Sequence, residues 1–159
     1  MSRPPAPLPN PSVRADQQLL AALAEIYRDL TRDLERAGAT CAACGDCCHL
    51  ADYGHELWLT EVELAYLLRA SGARVPTASG VCPYLEDGRC AAREGRALSC
   101  RIFHCDLDRA IQHRLHEKYL ERLRGVAAGR GIELGYGELL ASLAEAARGQ
   151  AGSIPRANE

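Results

Sequence analysis

The chain predicts a mainly α fold: a small helical domain that holds irregular cysteine-rich segments and at most a short hairpin. Three observations lead there. Leucines recur at helical spacing through much of the chain, all eight cysteines fall in two irregular stretches between residues 41 and 105, and strand-like alternation is confined to Glu56–Leu59.

Taken in order, residues 1–12 carry prolines at 4, 5, 7, 9 and 11 and are expected to form a disordered tail, because proline removes amide donors and holds its predecessor extended. From about Val13 to Ala37, residues Leu19, Leu23, Ile26, Leu30 and Leu34 share one helical face with charges on the others, and Gly38 stops the helix. The first cysteine stretch follows at once, "CAACGDCCHL" from 41 to 50, with Gly45 and Asp46 suited to a tight backbone. Glu56–Leu59 is a short extended segment, and Thr60 with Glu63 matches a capping box opening a helix to about Ala70. Residues 72–80 form a linker. In the second cysteine stretch, 82–105, Asp87-Gly88 marks a turn between two short arms, which would set Cys82 and Cys90 facing each other across a hairpin. Leu107–Ala128 is a long helix with Ile111, Leu115, Leu123 and Val126 on one side, and an alanine-rich helix runs from about Gly137 to Arg148. The expected organisation is one helical domain over 13–150, containing the cysteine cluster at 41–105, and a second disordered tail at 151–159.

Composition narrows the function. A chain of 159 residues with 47% hydrophobic content buries a core without covalent staples. No stretch approaches the roughly 20 apolar residues of a membrane span, and no apolar run follows the N-terminal prolines as a secretion signal requires. The protein is therefore expected to be cytoplasmic and to bind no membrane. A formal charge of -2 and 5% aromatic residues argue against a nucleic-acid partner, which needs cations for phosphates and rings for bases. In a reducing compartment, cysteines at short fixed spacing indicate metal ligands rather than disulfides.

Cys41, Cys44 and Cys47 form a C-x2-C-x2-C run, which lets a curling backbone aim three sulfurs at one point and offer them its N–H groups, a device of iron–sulfur proteins. Zinc sites more often pair one such knuckle with a remote pair. Adjacent residues generally point their side chains in different directions, so one of Cys47 and Cys48 is expected to belong to another centre or to line the site without ligating. Cys82, Cys90, Cys100 and Cys105 are too widely spaced for a self-contained knuckle, which favours centres that take ligands from both stretches. All eight cysteines are candidate metal ligands. Among the arginines of the second stretch, Arg96 and Arg101 are expected to compensate thiolate charge, whereas Arg89 and Arg93 fit solvated surface as well.

The succession "CAACGDCC", "LTEVEL", "CPYLEDGRC" and "REGRALSCRIF" resembles the CxxCxxCC family of zinc- or iron-chelating domains, the YkgJ-like cysteine-cluster proteins. The resemblance spans residues 41 to 105. It implies that Cys41, Cys44, Cys47, Cys48, Cys82, Cys90 and Cys100 occupy the family's cysteine positions and Arg96 and Arg101 its arginine positions. The chain departs from the family at Arg93, Ala97 and His104, and Cys105 is an eighth thiol outside the pattern. A flagellin lysine methylase with a similar cluster has iron–sulfur chemistry, which implies cluster-assisted modification of a protein substrate.

Of the five histidines, His49 and His104 lie beside the cysteines and fit hydrogen-bonding neighbours better than ligands; His113 and His116 fit a solvated helix face; His55 carries no signal. No Ser-His-Asp set, phosphate loop or HExxH motif occurs. The expectation is a metal–thiolate protein binding an iron–sulfur cluster or zinc, with redox or protein-modifying chemistry. The alternatives are a structural zinc domain acting as an interaction module, and a metal carrier or redox sensor. Whether it is an enzyme stays open.

Overall fold

The computed structural model of the chain describes residues 4–6, 8–9, 13–14 and 16–151. The chain is about 53% helical. Its first long helix, α1 (Gln17–Arg36), starts where the Asp16 carboxylate accepts the Leu19 N–H at 2.9 Å. It ends where Gly38 takes a left-handed φ of 77°. The expected leucine face is buried, and Leu20 and Tyr27 join it. Each fully buried leucine contributes about 1.5–3 kcal/mol.

Strand β1 (Trp58–Thr60) leads into α2 (Glu61–Ser71) through the expected capping box, with Thr60 and Glu63 satisfying each other's backbone N–H. Residues Leu85–Glu86 (β2) and Arg89–Cys90 (β3) form the expected hairpin, and positive φ at both Asp87 (47°) and Gly88 (72°) gives its two-residue turn the twist that antiparallel strands need. Its register pairs Leu85 with Cys90 and Glu86 with Arg89. Cys82 therefore lies before the ladder and is not the cross-strand partner of Cys90.

Helix α3 (Leu98–Ile102) carries Cys100, and α4 (Arg109–Ala128) opens on the Asp108 cap. Leu123 is buried; Ile111, Leu115 and Val126 are partly buried against the same core, while Tyr119, Leu120 and Ala127 are buried contributors outside the expected set. Strand β4 (Tyr136–Glu138) precedes α5 (Leu139–Ala151).

Strand β4 corrects the expectation of at most one hairpin. It pairs antiparallel with β1, Leu59 opposite Gly137, and so closes a second two-stranded sheet from distant parts of the chain. Three residues flanked by Gly135 cannot display a period. The strand exists because β1 offers it a hydrogen-bonding edge.

The proline-rich segment, expected to be disordered, is docked where it is described. The Glu138 N–H donates to the Pro4 carbonyl at 3.0 Å, and the Ala6 N–H donates to Ser142 Oγ at 2.8 Å. Ala6 is buried, and a Cβ at Gly137 would meet Ala6 N at 1.6 Å, so the contact needs glycine there. Of the expected tail at 151–159, Ala151 closes α5 and the remainder lies outside the described residues.

Two apolar clusters result. One joins α1, α3 and α4 through residues such as Leu23, Leu30, Leu98 and Leu123 and contains no cysteine among the described residues. The other gathers Leu59, Tyr84, Leu139 and Leu143 with Cys48 and Cys82. Helix α2 lies between them, giving Val62 and Ala65 to the first and Leu64, Leu67 and Leu68 to the second. Among the described residues, no helix is long and apolar enough to cross a membrane.

Candidate metal centre

The two cysteine stretches are joined by backbone. After the 3-10 turn Asp46–Cys48, the Cys82 N–H donates to the Cys48 carbonyl at 2.8 Å and the Ala51 N–H to the Gly80 carbonyl at 3.2 Å. Gly45, at φ 77°, lies against the hairpin turn; a Cβ there would come within 2.5 Å of the Gly88 carbonyl oxygen. Ala43 between Cys41 and Cys44 also has positive φ, 55°, a conformation that costs a residue with a Cβ roughly 1–2 kcal/mol. The loop is held in shape by what it packs on, since its own residues do not favour that shape.

At the other end of the second stretch, Thr40 clamps residues 104–106. Its N–H donates to Asp106 Oδ2 at 3.1 Å, its hydroxyl donates to the same oxygen, and its carbonyl lies 3.2 Å from His104 Nδ1. Cys41 and Cys105 each adjoin this clamp in the chain.

These ties bring all eight cysteines onto the wall of one cavity of about 370 Å³, which Arg93, Arg96, Phe103 and His104 also line. None of the eight is in a disulfide. Cys48 and Cys82 are buried; Cys47, Cys90 and Cys100 are partly buried; Cys41, Cys44 and Cys105 are exposed. Sequence spacing brought the two stretches together only by argument, and the wall is where they meet.

Cys48 is the hub of the inner thiols, with Cys47, Cys82 and Cys90 as its neighbours. It keeps its proton, its titration pushed far upward by those contacts and by burial. Its neighbours move the other way. Hydrogen bonding from Cys48 brings Cys47 down to about 6 against the opposing cost of burial, with Arg96 assisting. The neighbouring Cys48 likewise brings Cys90 to about 6, helped by the Ala92 N–H, Arg96 and Arg93, and it also lowers Cys82. Burial pushes Cys100 up, and the charges of Cys82, Cys90 and Cys47 add to that.

The arginines separate. Arg96 lines the cavity, with its Nε donating to the Arg93 carbonyl at 3.2 Å. Arg93, which fitted surface as well as site in the sequence, lines it too and directs an N–H at Cys41 Sγ from 3.9 Å. Arg101 is absent from the wall. It packs over the Tyr27 ring, 4.0 Å from the centroid, and donates to the carbonyls of Arg96 and Glu94. Its place is behind the site, bracing the segment that carries Arg93 and Arg96.

Among the histidines, His104 lines the cavity, His49 faces Asp52 at 3.4 Å, and His113 is exposed on α4. His55 was the one without a sequence signal, yet its Nε2 lies 3.1 Å from the Cys47 carbonyl and its ring packs on Phe103. Only the fold brings it there, since seven residues separate it from Cys47.

Thiols are the ligands of zinc and of iron–sulfur clusters, and two guanidinium groups beside them offset thiolate charge. The donor set fits either. Its arrangement differs from a closed single-ion site: among the described residues, no group of three or more Cys, His, Asp or Glu side chains is disposed to hold one metal ion. No family model, curated protein or solved structure matches the chain.

Proposed function

We propose that this protein is a metal–thiolate protein whose cavity binds an iron–sulfur cluster, with zinc as the second candidate, through Cys41, Cys44, Cys47, Cys48, Cys82, Cys90, Cys100 and Cys105. One observation carries the reading: eight unpaired thiols from two distant stretches line a single cavity. Further support comes from the motif resemblance of residues 41–105 to the CxxCxxCC domains. The excess of thiols over the four that one tetrahedral ion takes favours a polynuclear core over a lone ion. Arg93 and Arg96 serve the charge balance, and Arg101 positions them. A bound cluster supplies one-electron chemistry, and redox or protein-modifying activity on a protein partner follows from the same resemblance.

The cysteine-free cluster between α1, α3 and α4 speaks against a purely structural zinc domain, since much of the helical core closes without thiols. Anaerobic purification followed by iron, zinc and acid-labile sulfide analysis tests the proposal. Iron with matching sulfide is expected. Stoichiometric zinc without sulfide would move the reading to a zinc protein, and no bound metal would end it.

A further inference from the structure

We infer that the outer edge of β4, with the adjoining face of α5, is a docking groove for an extended, proline-rich segment of a partner protein, and that the chain's own N-terminal segment occupies it in cis. This stands apart from the metal–thiolate reading and uses none of the thiols.

The strand edge comes first. On its inner side β4 meets β1: the Leu139 N–H donates to the Leu57 carbonyl at 2.8 Å and the Glu61 N–H to the Gly135 carbonyl at 3.2 Å, with Leu59 opposite Gly137 between them. Glu138, one step out of that phase, presents its N–H on the other side, where it meets the Pro4 carbonyl at 3.0 Å. An open strand edge is a template for a further extended chain. Gly137 deepens it: a Cβ there would come within 1.6 Å of Ala6 N and 2.1 Å of the Pro5 carbonyl carbon, so the docked backbone lies where a side chain would otherwise stand.

The groove also selects. Ser142 is fully buried; its hydroxyl donates to the Glu138 carbonyl at 2.6 Å and accepts the Ala6 N–H at 2.8 Å, so the body of the protein holds the acceptor in place for the docked chain. Ala6 and Pro9 are buried, and Leu8 packs on the apolar cluster of Leu59, Leu139 and Leu143. The recognised pattern is a small residue after a proline with an apolar residue two positions on, and prolines, by holding such a segment extended, reduce the entropy it loses on docking.

The walls belong to the fold itself. Strand β4 closes on β1, and Leu139, Leu143 and Ala146 of α5 are core residues. The N-terminal segment adds two hydrogen bonds and a few apolar contacts to that frame, which is how a short peptide is held. Tethered in cis it competes at high effective concentration, so a partner segment enters fully only when the tethered one is loosened. A partner seated there is held against the back of the thiol cavity, whose wall includes Leu57 and Leu139.

The test measures fluorescence anisotropy of a labelled synthetic peptide with the sequence of residues 2–12 against the full chain, with circular dichroism recorded on every variant. Ala6→Asp in the chain puts a charge at a buried position and loosens the tethered segment; this variant should bind the peptide about ten-fold or more tightly than the wild-type chain does. A peptide carrying Ala6→Asp or Leu8→Ser should bind the same variant about ten-fold more weakly than the unaltered peptide. Should the Ala6→Asp chain fail to fold, Leu8→Ser in the chain replaces it. A folded, loosened chain that leaves the peptide free at about 1 mM overturns the inference, as does equal binding of the Ala6→Asp peptide. A concentration-dependent wild-type dimer that Ala6→Asp abolishes in sedimentation would make a second copy the occupant and overturn the assignment to a partner protein. Metal content enters none of these readouts, so failure here leaves the thiol reading standing.

Discussion

Cys48 shows how much one side chain can decide. Holding its own proton, it stabilises the thiolates of Cys47 and Cys90, which titrate at about 6 instead of 9.0. In metal-free protein, thiolate ultraviolet absorbance should therefore begin to rise near pH 6, and Cys48→Ala should move that rise toward the ordinary thiol range; an unchanged titration would remove Cys48 from this role. Glu63 is the counterpart in the helical core. It is 2% exposed, caps α2, accepts the Leu98 N–H at 2.7 Å and the Tyr27 hydroxyl at 3.3 Å, and so fixes the start of the helix that carries Cys100. Glu63→Ala leaves those donors unsatisfied and should cost about 3 kcal/mol in denaturant unfolding. The capping box was legible in the sequence because it is local. The bond to Leu98, 35 residues away, was not.

Among elements, the contrast between α1 and β4 explains what could be read in advance. Twenty residues of α1 display their period several times over, while β4 is three residues long and exists through pairing with β1. The hairpin was visible from Asp87-Gly88, yet its register was not, which is why Cys82 and Cys90 were set opposite one another. Its turn packs on the first cysteine loop at Gly45. Gly45→Ala combines an unfavourable φ with a clash against Gly88 and should lower metal content while leaving helical dichroism intact. The α1–α4 seam makes a different prediction. Asp33 accepts from Lys118 and Tyr119, and Asp29 from Arg122 and Arg32; hydrogen bonds from those groups hold both carboxyls below 3.8. A lowered folded pKa adds stability above the unfolded value that is lost as pH falls through the folded one. Asp29→Asn/Asp33→Asn should therefore flatten the loss of stability on acidification below pH 3.8, measured by urea unfolding; an unchanged acid slope would assign it to other carboxylates.

Across the whole molecule, the helical core and the thiol-lined cavity are separable in composition and joined in space. Chelation of bound metal should leave most helical dichroism in place, because the cluster between α1, α3 and α4 holds no cysteine; loss of the helices with the metal would make the ion a scaffold. The cysteine positions were readable as candidates from spacing alone. Their division by burial, the placing of Arg101 behind the wall and the arrival of His55 beside Cys47 were not, since each depends on segments that meet only after folding. Helix α2 binds the two halves. It is a party wall with Val62 and Ala65 on one side and Leu64 and Leu67 on the other, and close-packed interiors pass displacement along instead of absorbing it. Whatever fills or empties the hollow on one side of that wall is felt as pressure by the room next door.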